Sequence, residues 1–129
     1  MSAFAPVSLK NQAGTETAFN PTTVERNASI NVANWAAAGT VYDGRHKLSA
    51  SLQLPTSRSP RAKVKLKVTI PHMSSVDPNL KLDESIINLD FSLAKISGLV
   101  DRQNIRAYAA DLLTDAIVIA MVENYEGIY

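Results

Sequence analysis

KLSASLQLPTSRSPRAKVKLKVTI, Lys47 to Ile70, is the stretch on which the fold turns. Leu48, Ala50, Leu52 and Leu54 alternate with Lys47, Ser49, Ser51 and Gln53, the period of two that a strand shows when only one of its faces is covered. Pro55 to Pro60, with Thr56, Ser57 and Ser59 between them, supplies turn chemistry. Val64, Leu66, Val68 and Ile70 then alternate with Lys63, Lys65, Lys67 and Thr69. A second long strand is therefore expected to return antiparallel to the first.

Downstream, Pro71 to Glu84 holds two prolines, Asp77 and Asn79 without sustained periodicity, and reads as a long loop. The alternation resumes with Ile87, Leu89, Phe91 and Leu93 against Ile86, Asn88, Asp90 and Ser92, a third strand whose polar side carries one apolar member, Ile86. After Gly98 the period changes. Ile105, Tyr108 with Ala109, Leu112 with Leu113, and Ala116 with Ile117 recur at three and four, which predicts an amphipathic helix with Asp101 as its N-cap. Thr114-Asp115 allows either a cap for a second short helix or a continuation of the first.

Upstream, Val7 to Lys10 and Thr17 to Asn20 flank the turn-rich Asn11-Gln12-Ala13-Gly14, so a hairpin is expected, with Pro21 stopping its second strand. Ser29 to Trp35 alternates less cleanly and runs into Ala36 to Gly39, a small-residue patch that reads as a loop or bulge.

The whole chain of 129 residues suits one domain, about 1–129, able to bury a core without staples. With 46% hydrophobic and 19% charged residues it is neither disordered nor membrane-like, and its longest apolar run, Ala116 to Val122, is too short to span a bilayer. Met1 to Leu9 carries no export signature, which makes Asn27-Ala28-Ser29 a chance glycosylation sequon. The absence of cysteine excludes disulfides, thiolate metal sites and a Cys nucleophile. His46 and His72 have no carboxylate at ligand spacing, and Asp83, Glu84 and Asp90 form no constellation of nucleophile, base and orienter. No metal, cofactor, small-molecule substrate or enzyme activity is expected.

The net charge of +1 conceals a local concentration. Seven of the thirteen Lys and Arg residues lie between Arg45 and Lys67, a stretch without Asp or Glu. Alternating lysines can be merely a solvated strand face, but like charges crowded on one side cost stability unless a polyanion neutralises them. Trp35, Tyr42 and Tyr108 are assigned to core or interface packing rather than to base stacking.

Strands first and helices last argue an α+β fold with an antiparallel sheet. Five or six strands offer more apolar face than one helix of about four turns shields, at roughly 10 Å of covered width per helix. A partner copy solves this by pairing sheet edges and lending its helices, so a homodimer is expected.

The layout resembles the coat proteins of single-stranded RNA bacteriophages of the levivirus type. The likeness is carried by Val7-Ser8-Leu9 with the Gly14-Thr15 turn and the Asn20-Pro21 exit, Val32-Ala33-Asn34-Trp35, the paired basic strands, Leu112-Leu113 and the terminal Gly127-Ile128-Tyr129. The resemblance implies an N-terminal hairpin, a five-stranded antiparallel sheet and two C-terminal helices, in an intertwined homodimer with a continuous ten-stranded sheet. It further implies an icosahedral shell, assembled in the host bacterial cytoplasm, whose inward sheet face binds genomic RNA and a stem-loop that represses replicase translation. Carried over by position, the RNA-facing residues are Val32, Lys47, Ser49, Ser51, Gln53, Arg61, Lys63, Lys65, Lys67, Ile86, Asn88 and Asp90. Ile86 stands where several relatives place a tyrosine that stacks on an unpaired base, and it offers no aromatic face. Lys65 stands where threonine is common and adds a phosphate contact. The loop 71–82, with Pro78, corresponds to the one that changes conformation around the shell's symmetry axes. A dimeric RNA-binding regulator that forms no shell is the alternative reading.

Overall fold

The computed structural model describes residues 4–27 and 30–128. Ser29, expected to open the third strand, Ala28 and Ser29 of the sequon, and the terminal Tyr129 lie outside the described residues. Two compact units divide at Lys95/Ile96.

The first unit is one antiparallel sheet in which every strand pairs with its sequence neighbour, in the order β1 (Val7–Lys10), β2 (Glu16–Arg26), β3 (Ile30–Ala37), β4 (Lys47–Gln53), β5 (Arg61–Met73) and β6 (Lys81–Ala94). Its six strands replace the expected five plus a separate hairpin. The hairpin joins the sheet because β2 does not stop at Pro21. It continues to Arg26 and pairs with β3, with a register irregularity between Pro21 and Thr23. β1 reaches only as far as the Val7/Phe19 pair, so Pro21 lies where β2 has a neighbour on one side alone, and a missing N–H is tolerated at such an edge. Gly14, at φ 84, closes the β1/β2 turn, with Asn11 Oδ1 accepting from the Thr15 N–H at 2.9 Å.

Two further expectations are corrected in this unit. Ala36 and Ala37 are strand rather than loop: Ala36 pairs with Lys47, and the Ala37 N–H donates to the His46 carbonyl at 2.8 Å. The long loop of 71–84 shrinks to residues 74–80, because β5 and β6 run on together as a hairpin, with Pro71 opposite Glu84 and His72 opposite Asp83. β4 ends opposite Thr69, so this extension is a two-stranded ribbon. Lys81 to Ile87 are all exposed, and with no covered face the segment has nothing to impose alternation. His72 ties the ribbon together, its Nε2 lying 2.6 Å from the Ser85 Oγ.

Alternation on β4, β5 and β6 follows the expected phase. Leu66 lies between Ala50 and Leu89, and Val64 between Leu52 and Phe91, on one face. That face is unfilled within the chain. Among the described residues only Phe19 (3% exposed) and Ala37 (7%) are buried hydrophobics, while Leu52 and Ile87 remain exposed. Trp35 packs as expected: Phe4 meets it edge-on at 5.3 Å, and its indole N–H donates to the Ala5 carbonyl at 2.8 Å.

The second unit holds α1 (Leu99–Leu112) and α2 (Ala116–Asn124), which resolves the helix into two segments. Gly98, not Asp101, is the N-cap of α1. Asp101 sits one turn inside and accepts from the Gly98 N–H at 3.1 Å, a bond to the cap's backbone that needs no side chain on the cap. Asp115 caps α2, accepting from the Ile117 N–H at 2.9 Å. Asp115→Ala is expected to destabilise this unit by about 1 kcal/mol, read as faster hydrogen exchange at the Ile117 amide. Neither helix buries a residue, and Leu99, Ile105, Leu112, Ile117 and Met121 stand exposed.

Candidate nucleic-acid interface

Antiparallel register turns the polar positions into rows that cross the sheet. One row reads Val32, Ser51, Lys65 and Asp90 from β3 to β6, and the next reads Asn34, Ser49, Lys67 and Asn88. Flanking them are Ile30, Gln53, Lys63 and Ser92 on one side and Ala36, Lys47, Thr69 and Ile86 on the other. Side chains directly across from one another share a face. All twelve sequence-derived positions therefore lie on one face, Arg61 included by its phase on β5.

Arg61, Lys63, Lys65 and Lys67 are exposed, while Ala62, Val64, Leu66 and Val68, which alternate with them, are half-buried. Arg61 is held down by Ser92, its Nε donating to the hydroxyl at 2.8 Å and its Nη2 to the carbonyl at 3.1 Å. The lysines are not held in this way. The ion pairs among the described residues are Lys10–Glu16 at 3.8 Å and Lys81–Glu84 at 3.2 Å, so Lys65 forms none even with Asp90 across from it. Four ammonium groups thus stand on one face without a carboxylate partner, which leaves their donors and their field available to an anion.

The β3/β4 connection extends the face beyond the expected positions. It contains a single 3₁₀ turn, Tyr42–Gly44, and Tyr42 stands 67% exposed, outside the core of the chain. The Lys47 Nζ lies 4.4 Å from the centre of its ring, and the Arg45 Cζ lies 5.8 Å away. Arg45 is anchored by its Nε, which donates to the Gly39 carbonyl at 2.8 Å. Beside this group a pocket of ≈ 500 Å³ opens between Thr23, Asn34, Ser49, Lys67 and Thr69. The sequence offered little signal for it: Tyr42 and Lys47 are brought together by a short turn that no periodicity announces.

The Levivirus coat protein family profile matches residues 2–129. The chain belongs to that family. Among solved structures, the coat protein's fold is shared by the virus-like particle of Beihai levi-like virus 21, with TM-score 0.86 and 17% identity over 99% of each chain. The bacteriophage GA capsid protein matches at TM-score 0.72 and 16% identity, covering 99% of both chains. A structure described as an unassembled virus coat protein dimer, a bacteriophage RNA-binding dimer, matches at 0.70 and 16% with the same coverage. No curated protein sequence matches the chain. The family role is structural, that of a capsid subunit.

Proposed function

We propose that this coat protein forms homodimers that close into an icosahedral shell, and that the lysine-bearing sheet face turns inward to bind single-stranded genomic RNA. Lys47, Lys63, Lys65 and Lys67, on one face and without a carboxylate partner among the described residues, carry the RNA reading. Two uncovered apolar surfaces support the dimer, one on the sheet and one on α1 and α2, since each matches what the other needs in a second copy. β6 supports it too: a 14-residue strand paired on one side only presents an open row of backbone groups that a second β6 satisfies. Joined this way, the sheet exceeds the ten strands expected, because each chain brings six.

The role is structural rather than enzymatic, the whole chain acts as one coat-protein domain, and its place is the virion, after assembly in the host bacterial cytoplasm. The same face also suits an RNA stem-loop of the replicase operator type, though with Ile86 rather than an aromatic ring at the expected stacking position. That makes general RNA binding the better supported activity. Electron microscopy of the expressed chain tests the shell: uniform closed particles are expected. Isolated dimers under assembly conditions would instead favour a free RNA-binding regulator.

A further inference from the structure

The corner at Tyr42 lies at one end of the basic face, next to the row of Ala36, Lys47, Thr69 and Ile86. An exposed aromatic ring beside cations, and a largely apolar pocket whose wall also carries the hydroxyls of Thr22, Thr23, Ser49 and Thr69 and the Asn34 amide, combine what a nucleotide asks for: a stacking plane, a charge for its phosphate, and donors and acceptors for its base edge. Two hydrogen bonds shape the pocket wall. The Thr22 hydroxyl donates to the Asn34 carbonyl at 2.9 Å, and the Asn34 amide nitrogen donates to the Thr23 hydroxyl, also at 2.9 Å. Asp43, next to Tyr42 in the same turn, is not among the residues lining the pocket.

Resting on the RNA-binding reading, we propose that Tyr42, Arg45 and Lys47 form a nucleotide subsite in which an unpaired base stacks on the Tyr42 ring while its flanking phosphates bind Arg45, Lys47 and Lys67. In the free protein the Lys47 ammonium occupies the ring's π-face. An incoming phosphate draws the ammonium off the ring, and a base takes its place. The subsite supplies the aromatic plane that Ile86 lacks, and it does so from the β3/β4 connection rather than from β6. Because any base has a π-face, the subsite reads an unpaired base without strong preference for its identity.

The test compares full-length protein with Tyr42→Ala and Tyr42→Phe, titrated with a short single-stranded RNA and with the same strand carrying abasic sites, across a range of salt. Tyr42→Ala is expected to weaken binding of the normal strand roughly tenfold, with Tyr42→Phe close to the parent, the salt slope unchanged, and little effect on the abasic strand. Equal affinity of Tyr42→Ala and parent for the normal strand overturns the subsite while leaving RNA binding standing. So does a loss accompanied by a smaller salt slope or seen equally on the abasic strand, since Tyr42 would then only position Lys47. Failure of the parent itself to bind RNA overturns the RNA reading and the subsite together.

Discussion

Phe91→Ala is expected to destabilise the coat protein dimer by about 3–5 kcal/mol per chain, the cost of emptying a buried aromatic site, and to prevent particles from forming. Phe91 pairs with Val64 on the apolar face, in the row that continues to Leu52. In a single chain this face is only half covered, Leu52 and Ile87 being exposed. The full penalty arises only when a second copy closes over it. Leu66→Asp, at the middle of the same face between Ala50 and Leu89, should be more severe, because the partner's apolar side chains would have to bury an unpaired carboxylate. Denaturant unfolding across protein concentrations checks both. A midpoint that rises with concentration in the parent and collapses in the variants is the expected result. A concentration-independent midpoint, with Phe91→Ala near neutral, would show that the face needs no partner.

Lys65→Ala combined with Lys67→Ala is the second large effect. Each lysine that neutralises a phosphate of a single strand contributes about 0.7 to the slope of log affinity against log salt, so the pair should lower the slope by roughly 1.4 and weaken binding about 25-fold near 0.1 M salt. Both side chains are exposed, and neither forms an ion pair among the described residues, so the fold and the dimer should be unaffected. Removing the like-charge crowding is, if anything, slightly stabilising. Particles of the double variant should carry less RNA. An unchanged salt slope would remove these two residues from the interface.

Much of this was legible in the sequence, and the reason is physical. A sheet that must cover one face and wet the other forces the alternation seen from Lys47 to Gln53 and from Lys63 to Ile70, and that alternation by itself places the lysines on a common face. The prolines misled. Pro21 and Pro71 read as stops, yet both sit in strands beyond the end of one neighbour, where the missing N–H has no ladder bond to lose. The ribbon made by the ends of β5 and β6 hid for a related reason: its β6 half, Lys81 to Ile87, is exposed throughout and carries no pattern. Taking Asp101 as the N-cap starts the helix one turn too late, since a carboxylate that accepts from the cap's backbone looks, in sequence, much like one that caps. Tyr42, assigned to packing from sequence, is instead 67% exposed with Lys47 over its ring, surroundings that depend on a tight turn between strands rather than on a repeat.

The pairing of shell and inward RNA face is tested most directly by high-resolution imaging of particles purified from cells expressing the chain, after nuclease treatment. Closed shells of dimers joined along β6, holding protected RNA whose density lies against Lys47, Lys63, Lys65 and Lys67, are the expected result. Shells without protected RNA, or with RNA lying away from that face and the lysines turned to the outside, would contradict the account.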